Sequence, residues 1–156
     1  MTESVWDYPR PPRVEPTTAH VVVEHLGRPI VDTRRALRVL ETSHPPTYYL
    51  PISDVAAGVL VPARSGLASV CEFKGVARYW DLVLDGARVA DVGWTFPQPT
   101  PGYEALVDRV ALYPSRVDRC LVDDEVVTPQ AGDFYGGWIT SGVHGPFKGG
   151  PGTMGW

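Results

Sequence analysis

The chain of 156 residues contains no asparagine, and it contains two lysines, two cysteines and two methionines. Its 14 Lys and Arg residues are outnumbered by 18 Asp and Glu residues, so the formal net charge is −4, and no basic block stands out. This shortage of positive charge argues against a nucleic-acid surface or an anionic membrane as the main partner. The excess of twelve arginines over two lysines is typical of a GC-rich bacterial genome.

Long apolar runs are also missing. No segment approaches the roughly 18 apolar residues of a membrane span, and the first residues lack the basic and apolar regions of a signal peptide. We therefore expect a cytoplasmic protein with no membrane partner. The two cysteines, Cys71 and Cys120, are too few for a disulfide scaffold, so two separate reduced thiols are expected.

Metal and cofactor motifs are scarce as well. Neither cysteine has a second cysteine two residues away, and the four histidines are scattered along the chain, which argues against a zinc site. Residues 150–155 spell the letters of a dinucleotide-binding glycine motif, but one residue follows them, and that motif requires a helix at this point. We expect neither a metal nor a cofactor.

Glycine and proline are abundant, with sixteen of each, and they favour turns over long helices. From about Thr18, short runs rich in β-branched residues follow one another closely, and turn residues separate them. One segment has helical spacing, because Thr100 and Pro101 suit a helix start and apolar residues recur after them. The pattern predicts a mainly β fold of antiparallel hairpins with one short helix. The expected turns are Gly27-Arg28-Pro29, Asp85-Gly86 and Asp123-Asp124.

The composition changes towards both ends of the chain. We expect a single domain, 1–156, with an extended Pro-rich arm at 1–17, a β core at 18–128 and a Gly- and aromatic-rich C-terminal extension at 129–156. Solvated linkers rarely carry many large rings. The rings of the two ends are therefore expected to pack on the sheet or on a partner chain: Trp6, Tyr8, Phe134, Tyr135, Trp138, Phe147 and Trp156.

A first group of candidate site residues lies in the segment 37–49. If residues 36–41 form a strand, period-two alternation places Glu41 at the end of an apolar row. A buried carboxylate is costly without a partner, so Glu41 is either exposed at the strand end, paired with an arginine, or held for chemistry or ligand binding. His44, Tyr48 and Tyr49 follow in a Pro-rich turn, where they line either a pocket or a plain surface turn.

A second group lies in the segment 69–80. Strand alternation places Cys71 and Phe73 on one side and Glu72 and Lys74 on the other. One interpretation is a core Cys and Phe backed by a surface ion pair. The other makes Cys71 a nucleophile or Lys74 an anion-binding group in a cleft shared with the first segment.

These segments resemble the bacterial and fungal family known as domain of unknown function 427. The resemblance implies a small antiparallel fold, either a tent-like sheet similar to that of methionine sulfoxide reductase B or a partly open barrel of hairpins. The paired cysteines that carry zinc in many of those relatives are absent here, and the carboxylate pattern that would support the family's nucleotidyltransferase label is missing. The segments that carry the resemblance are 36–55, 71–80, 94–101 and 111–118.

By resemblance, the recurring positions of the family coincide with the two groups: Glu41, Tyr48, Tyr49, Cys71, Lys74, Gly75, Tyr79 and Trp80. The leading hypothesis is a cleft, lined by these residues except Gly75 and by His44, that binds a small polar or anionic molecule. If the protein is an enzyme, Glu41 is the general base and Lys74 an electrostatic clamp.

Two rival hypotheses remain. One is a non-catalytic interaction module, a homodimer for example, whose C-terminal extension packs on another chain. The other is a reader of peptides or nucleotide bases that stacks them on Tyr and Trp rings, although the acidic charge balance weakens its nucleic-acid version.

Overall fold

A computed structural model describes residues 2–132 and 134–156 of the chain. Within them the chain forms sixteen short strands and four single turns of 3-10 helix, and none of these helices is long or apolar enough to cross a bilayer. The strands are β1 Glu3–Ser4, β2 Arg13–Pro16, β3 Val21–His25, β4 Arg28–Thr33, β5 Leu37–Leu40, β6 Thr47–Pro51, β7 Leu60–Pro62, β8 Ala68–Cys71, β9 Gly75–Leu84, β10 Ala87–Thr95, β11 Arg109–Leu112, β12 Arg119–Val122, β13 Glu125–Val126, β14 Thr128–Pro129, β15 Trp138–Ile139 and β16 Val143–His144. The 3-10 turns are Val5–Asp7, Ile52–Asp54, Glu104–Leu106 and Pro114–Arg116.

Most strands belong to two antiparallel sheets, neither of which closes into a barrel. The large sheet has the order β2-β5-β6-β11-β10-β9-β7, and β8 also pairs with β9. The small sheet has the order β13-β12-β3-β4. The predicted mainly β, antiparallel fold is therefore confirmed. The chain ends add two short pairs, β1 with β16 and β14 with β15.

Three tight turns connect neighbouring strands of these sheets. Both central residues have positive φ at Leu26-Gly27, Asp85-Gly86 and Asp123-Asp124, as the favoured two-residue hairpin turns require. Two of the three turns lie where the sequence predicts them. The first lies one residue earlier than expected, because residues 28 and 29 already belong to β4.

The segment expected to be a helix is a single 3-10 turn at Glu104–Leu106. Gly102 has φ +96°, which no right-handed helix accommodates, so the helix cannot run on from Pro101. Val110, the last apolar position of the helical pattern, belongs to β11. The apolar spacing reflects a turn followed by a strand.

Alternation along the strands divides the large sheet into two faces. Tyr48 and Leu50 of β6 point to the face that packs against the small sheet, whereas Tyr49 points to the opposite face. We call the opposite face the cavity face. Its buried side chains are Leu37, Val39, Tyr49, Ala77, Tyr79, Phe96, Ala111 and Tyr113.

The arm and the C-terminal extension pack on each other and on the large sheet. Strand β1 of the arm pairs with β16 of the extension, and the Trp6 indole N–H donates to the carbonyl of Pro146 at 2.8 Å. The ring of Trp6 also meets that of Trp156, with centroids 5.2 Å apart. Trp138, which is fully buried, stacks on Tyr48 at 4.8 Å. These aromatic residues of the ends therefore have partners within their own chain.

Candidate functional site

A cavity of about 260 Å³ lies between the cavity face of the large sheet and the C-terminal extension. Strands β5 and β6, the β8–β9 hairpin and strands β10 and β11 form one side, and residues 130, 134–136 and 148 of the extension form the other. Its lining includes Gly136 and the side chains of Glu41, His44, Tyr49, Ser69, Cys71, Phe73, Lys74, Tyr79, Trp94, Phe96, Tyr113, Gln130, Phe134, Tyr135 and Lys148.

Lys74 lies in the turn of the β8–β9 hairpin and is buried, with 8% of its surface exposed. Its main-chain oxygen accepts a hydrogen bond from Thr100 N at 3.1 Å, and Phe73 O accepts one from the Thr100 hydroxyl, so the turn is held against the loop before Tyr103. Among the residues that the structure describes, no hydrogen-bond or ion-pair partner faces the Lys74 ammonium, which lies 5.9 Å from the centroid of the Phe96 ring.

The expected alternation along the segment 69–80 is wrong at its centre. Strand β8 ends at Cys71 and β9 begins at Gly75, whose φ is +112°. Residues 72–74 form the turn between them, so Cys71, Phe73 and Lys74 all line the same cavity. A surface ion pair between Glu72 and Lys74 is not formed.

Lys148 reaches the same cavity from the extension. Its main-chain N–H donates to Ser43 O at 2.8 Å, which ties this part of the extension to the turn after β5. Its ammonium donates to the main-chain oxygen of Trp156 at 3.2 Å and lies 5.6 Å from the centroid of the Tyr135 ring. The two lysines of the chain, 74 residues apart in sequence, thus line one cavity.

Glu41 and His44 lie next to each other at the cavity wall. Strand β5 carries Leu37 and Val39 on the cavity face, and Glu41 follows on the same side, as alternation predicts. One Glu41 carboxylate oxygen is 3.7 Å from His44 Nε2 and 3.6 Å from Arg10 Nε of the arm. The carboxylate therefore has an arginine partner and also borders the cavity.

Gln130 determines which ring nitrogen of His44 carries the proton. The Gln130 side-chain oxygen accepts from Gly137 N at 3.1 Å, and its nitrogen donates to Lys148 O at 2.7 Å. That amide orientation directs an N–H towards His44 Nδ1 at 3.3 Å, so Nδ1 accepts and the neutral ring carries its hydrogen on Nε2. The hydrogen on Nε2 is therefore on the side of Glu41.

Burial and, to a smaller extent, the positive charges of Lys148, Arg10 and Lys74 together lower the pKa of His44 to about 4. His44 is therefore neutral near pH 7. Its Nε2–H group is a hydrogen-bond donor, and the neutral ring adds no positive charge to the site.

Much of the cavity wall is aromatic, and three of its phenol groups have protein partners. The Tyr49 hydroxyl accepts from the Trp94 indole N–H at 3.1 Å, and the Tyr113 hydroxyl donates to Phe134 O at 3.0 Å. The Tyr79 hydroxyl lies 3.0 Å from Ser69 Oγ. Burial raises the pKa of both Tyr49 and Tyr113, so both phenols stay protonated.

Most of the predicted site residues meet at this cavity. Two do not, because alternation places them on the other face of the sheet. Tyr48 of β6 points away from the cavity and stacks on Trp138. Trp80 packs against the core between the two sheets. The predicted residues that line the cavity are Glu41, His44, Tyr49, Cys71, Lys74 and Tyr79.

Sequence reasoning missed the half of the site that the extension provides. Gln130, Tyr135 and Lys148 carry no motif that indicates a site. The scarcity of lysine is the feature of the sequence that could have indicated Lys148. The chain contains twelve arginines and two lysines, and both lysines line the cavity.

The two cysteines differ in their surroundings. Both are free thiols; Cys71 borders the cavity, whereas Cys120 lies in the core between the sheets. Burial raises the pKa of Cys120 to about 12, so this thiol is inert near neutral pH. Across residues 2–132 and 134–156, no three His, Cys, Asp or Glu side chains are grouped closely enough to hold a metal ion.

Residues 13–123 match a family described as a domain of unknown function (DUF427). No curated protein matches the chain. The matched range contains Glu41, His44 and Lys74 but ends before Gln130 and Lys148, so the extension lies outside it. Because the match covers well over half of the chain, the chain belongs to the DUF427 family.

Proposed function

We propose that the protein binds a small anionic molecule in this cavity. The observation that carries the proposal is the position of Lys74, a lysine with 8% of its surface exposed whose ammonium borders the cavity and has no ionic partner among the described residues. A charge that is largely withdrawn from water and lacks a partner destabilises a protein. A bound anion would supply the missing partner and turn this cost into binding free energy.

The other charges around the cavity are compatible with the same proposal. Glu72 also lines the cavity, but it is exposed to water, which screens its negative charge. Lys148 uses one ammonium hydrogen for Trp156 O, and the remaining hydrogens can donate to a ligand. The Glu41 carboxylate is next to the guanidinium of Arg10, which reduces its repulsion of an anion. His44, held as a neutral donor, offers its Nε2 hydrogen at the same wall.

Binding can be tested by amide chemical shifts in NMR spectra of the full chain. Phenylacetate, acetate and inorganic phosphate are each titrated into the protein. At least one is expected to shift the amide signals of Gly136 and Lys148 saturably while leaving that of Val126 in the small sheet unchanged. The shifts should be lost in Lys74→Met. The proposal fails if none of the three anions shifts the cavity amides.

A second candidate function is general-base catalysis by Glu41, with Lys74 as the electrostatic clamp. It is favoured by the contact between Glu41 and the Nε2 side of His44. An N–H donor at this position can orient the carboxylate towards a reacting group. In heavy water, an anion that binds should then exchange a carbon-bound hydrogen for deuterium. Glu41→Gln should abolish the exchange and keep binding. Exchange at the wild-type rate in Glu41→Gln would contradict a role as base.

The interaction-module hypothesis rests on the side chains of the extension that remain exposed. Phe134 is 60% exposed and Met154 is 92% exposed, whereas Trp138 and Val143 are buried in their own chain. The proposal of a small-molecule site explains the unpartnered Lys74, which an interface through Phe134 does not. The two free thiols support our further proposal of a cytoplasmic location.

A further inference from the structure

The size of the cavity limits what the ligand can be. At about 260 Å³ it is smaller than the roughly 300–1,000 Å³ of pockets that hold drug-sized molecules. A compact ligand with one ring and a short substituent suits this volume better than a nucleotide or an oligosaccharide.

The walls favour a ring as the body of the ligand. Trp94 is held at 4.8 Å from Tyr113 and at 6.3 Å from Tyr49, and Tyr49 stacks on Phe96 at 6.3 Å. These rings contact one another and line the cavity. Ring pairs with such offset or edge-to-face geometry gain stability beyond the area they bury.

The aromatic part of the wall adds few free polar groups. The hydroxyls of Tyr49, Tyr79 and Tyr113 each have a protein partner, so these residues contribute mainly ring surface. A sugar or polyol would lose its water against these rings without gaining enough hydrogen bonds in return. The part of the ligand that contacts them is therefore apolar.

The charged groups of the cavity suit a ligand that carries one anionic group attached to this apolar part. Lys74 and Lys148 lie over the aromatic rings of Phe96 and Tyr135 respectively, and neither forms an ion pair with an Asp or Glu side chain among the described residues. Each ammonium thus has N–H donors beside an apolar wall. A carboxylate attached to a ring would contact the ammonium groups while its ring contacts the walls.

From this arrangement we propose that the ligand is a small aromatic carboxylate. The inference rests on the proposed anion-binding function and adds to it the chemical class of the anion. Phenylacetate serves as the probe of this class. The residues that select it are Lys74 and Lys148 for the carboxylate and Tyr49, Trp94, Phe96 and Tyr113 for the ring.

Isothermal titration calorimetry on the full chain tests the class with five probes: phenylacetate, cyclohexylacetate, acetate, inorganic phosphate and AMP. Phenylacetate is expected to bind at least about tenfold more tightly than acetate, because it buries a ring. It should bind about 2–10-fold more tightly than cyclohexylacetate, which has similar bulk without an aromatic ring. Lys74→Met should weaken phenylacetate binding by about 10–100-fold, since it removes a charged hydrogen bond. Arg34→Met, which removes an exposed positive charge, is the matched control and should leave binding unchanged.

The outcomes separate this inference from the proposed function. If cyclohexylacetate binds as tightly as phenylacetate, or if phosphate or AMP binds more tightly, the aromatic class is overturned while anion binding stands. If no anion binds to the wild-type chain, both proposals are overturned. If phenylacetate binds equally well to the wild type and to Lys74→Met, the role of Lys74 in both proposals is overturned.

Discussion

Replacing Lys74 with methionine should make the protein more stable and weaken its binding of anions. Lys74 is 8% exposed, and its ammonium has no ionic partner within the described residues. Methionine keeps an unbranched stem of similar length and removes the charge. Exchanging buried ionic groups for apolar ones of similar volume is often neutral or stabilises by about 1–4 kcal/mol. Because the Lys74 ammonium borders an open cavity, the lower part of that range applies, about 1–2 kcal/mol.

Lysine at position 148 provides the comparison. Its ammonium donates to Trp156 O at 3.2 Å, so Lys148→Met loses a hydrogen bond with a net contribution of about 1 kcal/mol. We therefore expect Lys148→Met to lower the free energy of unfolding, opposite to Lys74→Met. Both variants should bind phenylacetate less tightly. Arg34→Met should stay within about 0.5 kcal/mol of the wild type.

Urea denaturation and thermal melting measure these differences directly. A gain of 1 kcal/mol raises the melting temperature of a domain of this size by roughly 2–4 °C, so Lys74→Met should melt about 2–8 °C above the wild type. The reasoning is refuted if Lys74→Met lowers the free energy of unfolding by more than about 1 kcal/mol and leaves anion binding intact. Lys74 would then be a structural residue.

Three further predictions concern the walls of the cavity and the core. A Cβ at Gly136 would lie 2.5 Å from the Trp94 ring, so Gly136→Ala should displace that ring and destabilise the protein by about 1–3 kcal/mol in a urea titration. Gly150→Ala is the control and should have little effect, because a Cβ there meets nothing within 4 Å. His44 is protonated near pH 6.5 in the unfolded chain but only near pH 4 in the folded chain, so the free energy of unfolding should fall by about 2 kcal/mol between pH 7.5 and pH 5. Urea titrations at the two pH values should show a smaller fall in His44→Gln, and a fall equal to that of the wild type would contradict the prediction. Trp138→Ala should cost about 3–5 kcal/mol, because the side chain is fully buried and stacks on Tyr48; a loss below about 1 kcal/mol in chemical denaturation would show that the extension contributes little to the core.

Alternation and turn residues in the sequence were enough to predict much of the fold. The turns at Asp85-Gly86 and Asp123-Asp124 follow from residue types that tolerate positive φ, and the mainly β class follows from the spacing between such turns. The helix expected after Thr100 was a single 3-10 turn, because an apolar spacing of three and four residues also fits a turn followed by a strand.

Alternation also placed part of the candidate site correctly. Glu41 continues the cavity-facing row of β5, as the sequence predicts, since side-chain direction along a strand is a local property. The same rule explains why Tyr48 and Trp80 lie on the opposite face from Tyr49 and Tyr79. Assigning neighbours in sequence to one cleft ignored this local rule.

The sequence by itself determined the mainly β class, two of the three tight turns and the alternation of side chains within a strand, because these depend on contacts between neighbours in the chain. Only the tertiary structure decided that Lys74 and Lys148 share one cavity. That meeting depends on the order of strands in the large sheet and on the extension folding back over it, with Lys148 N bonded to Ser43 O. Contacts between residues far apart in the chain leave no periodic pattern in the sequence, so the complete site emerges only when the chain is folded.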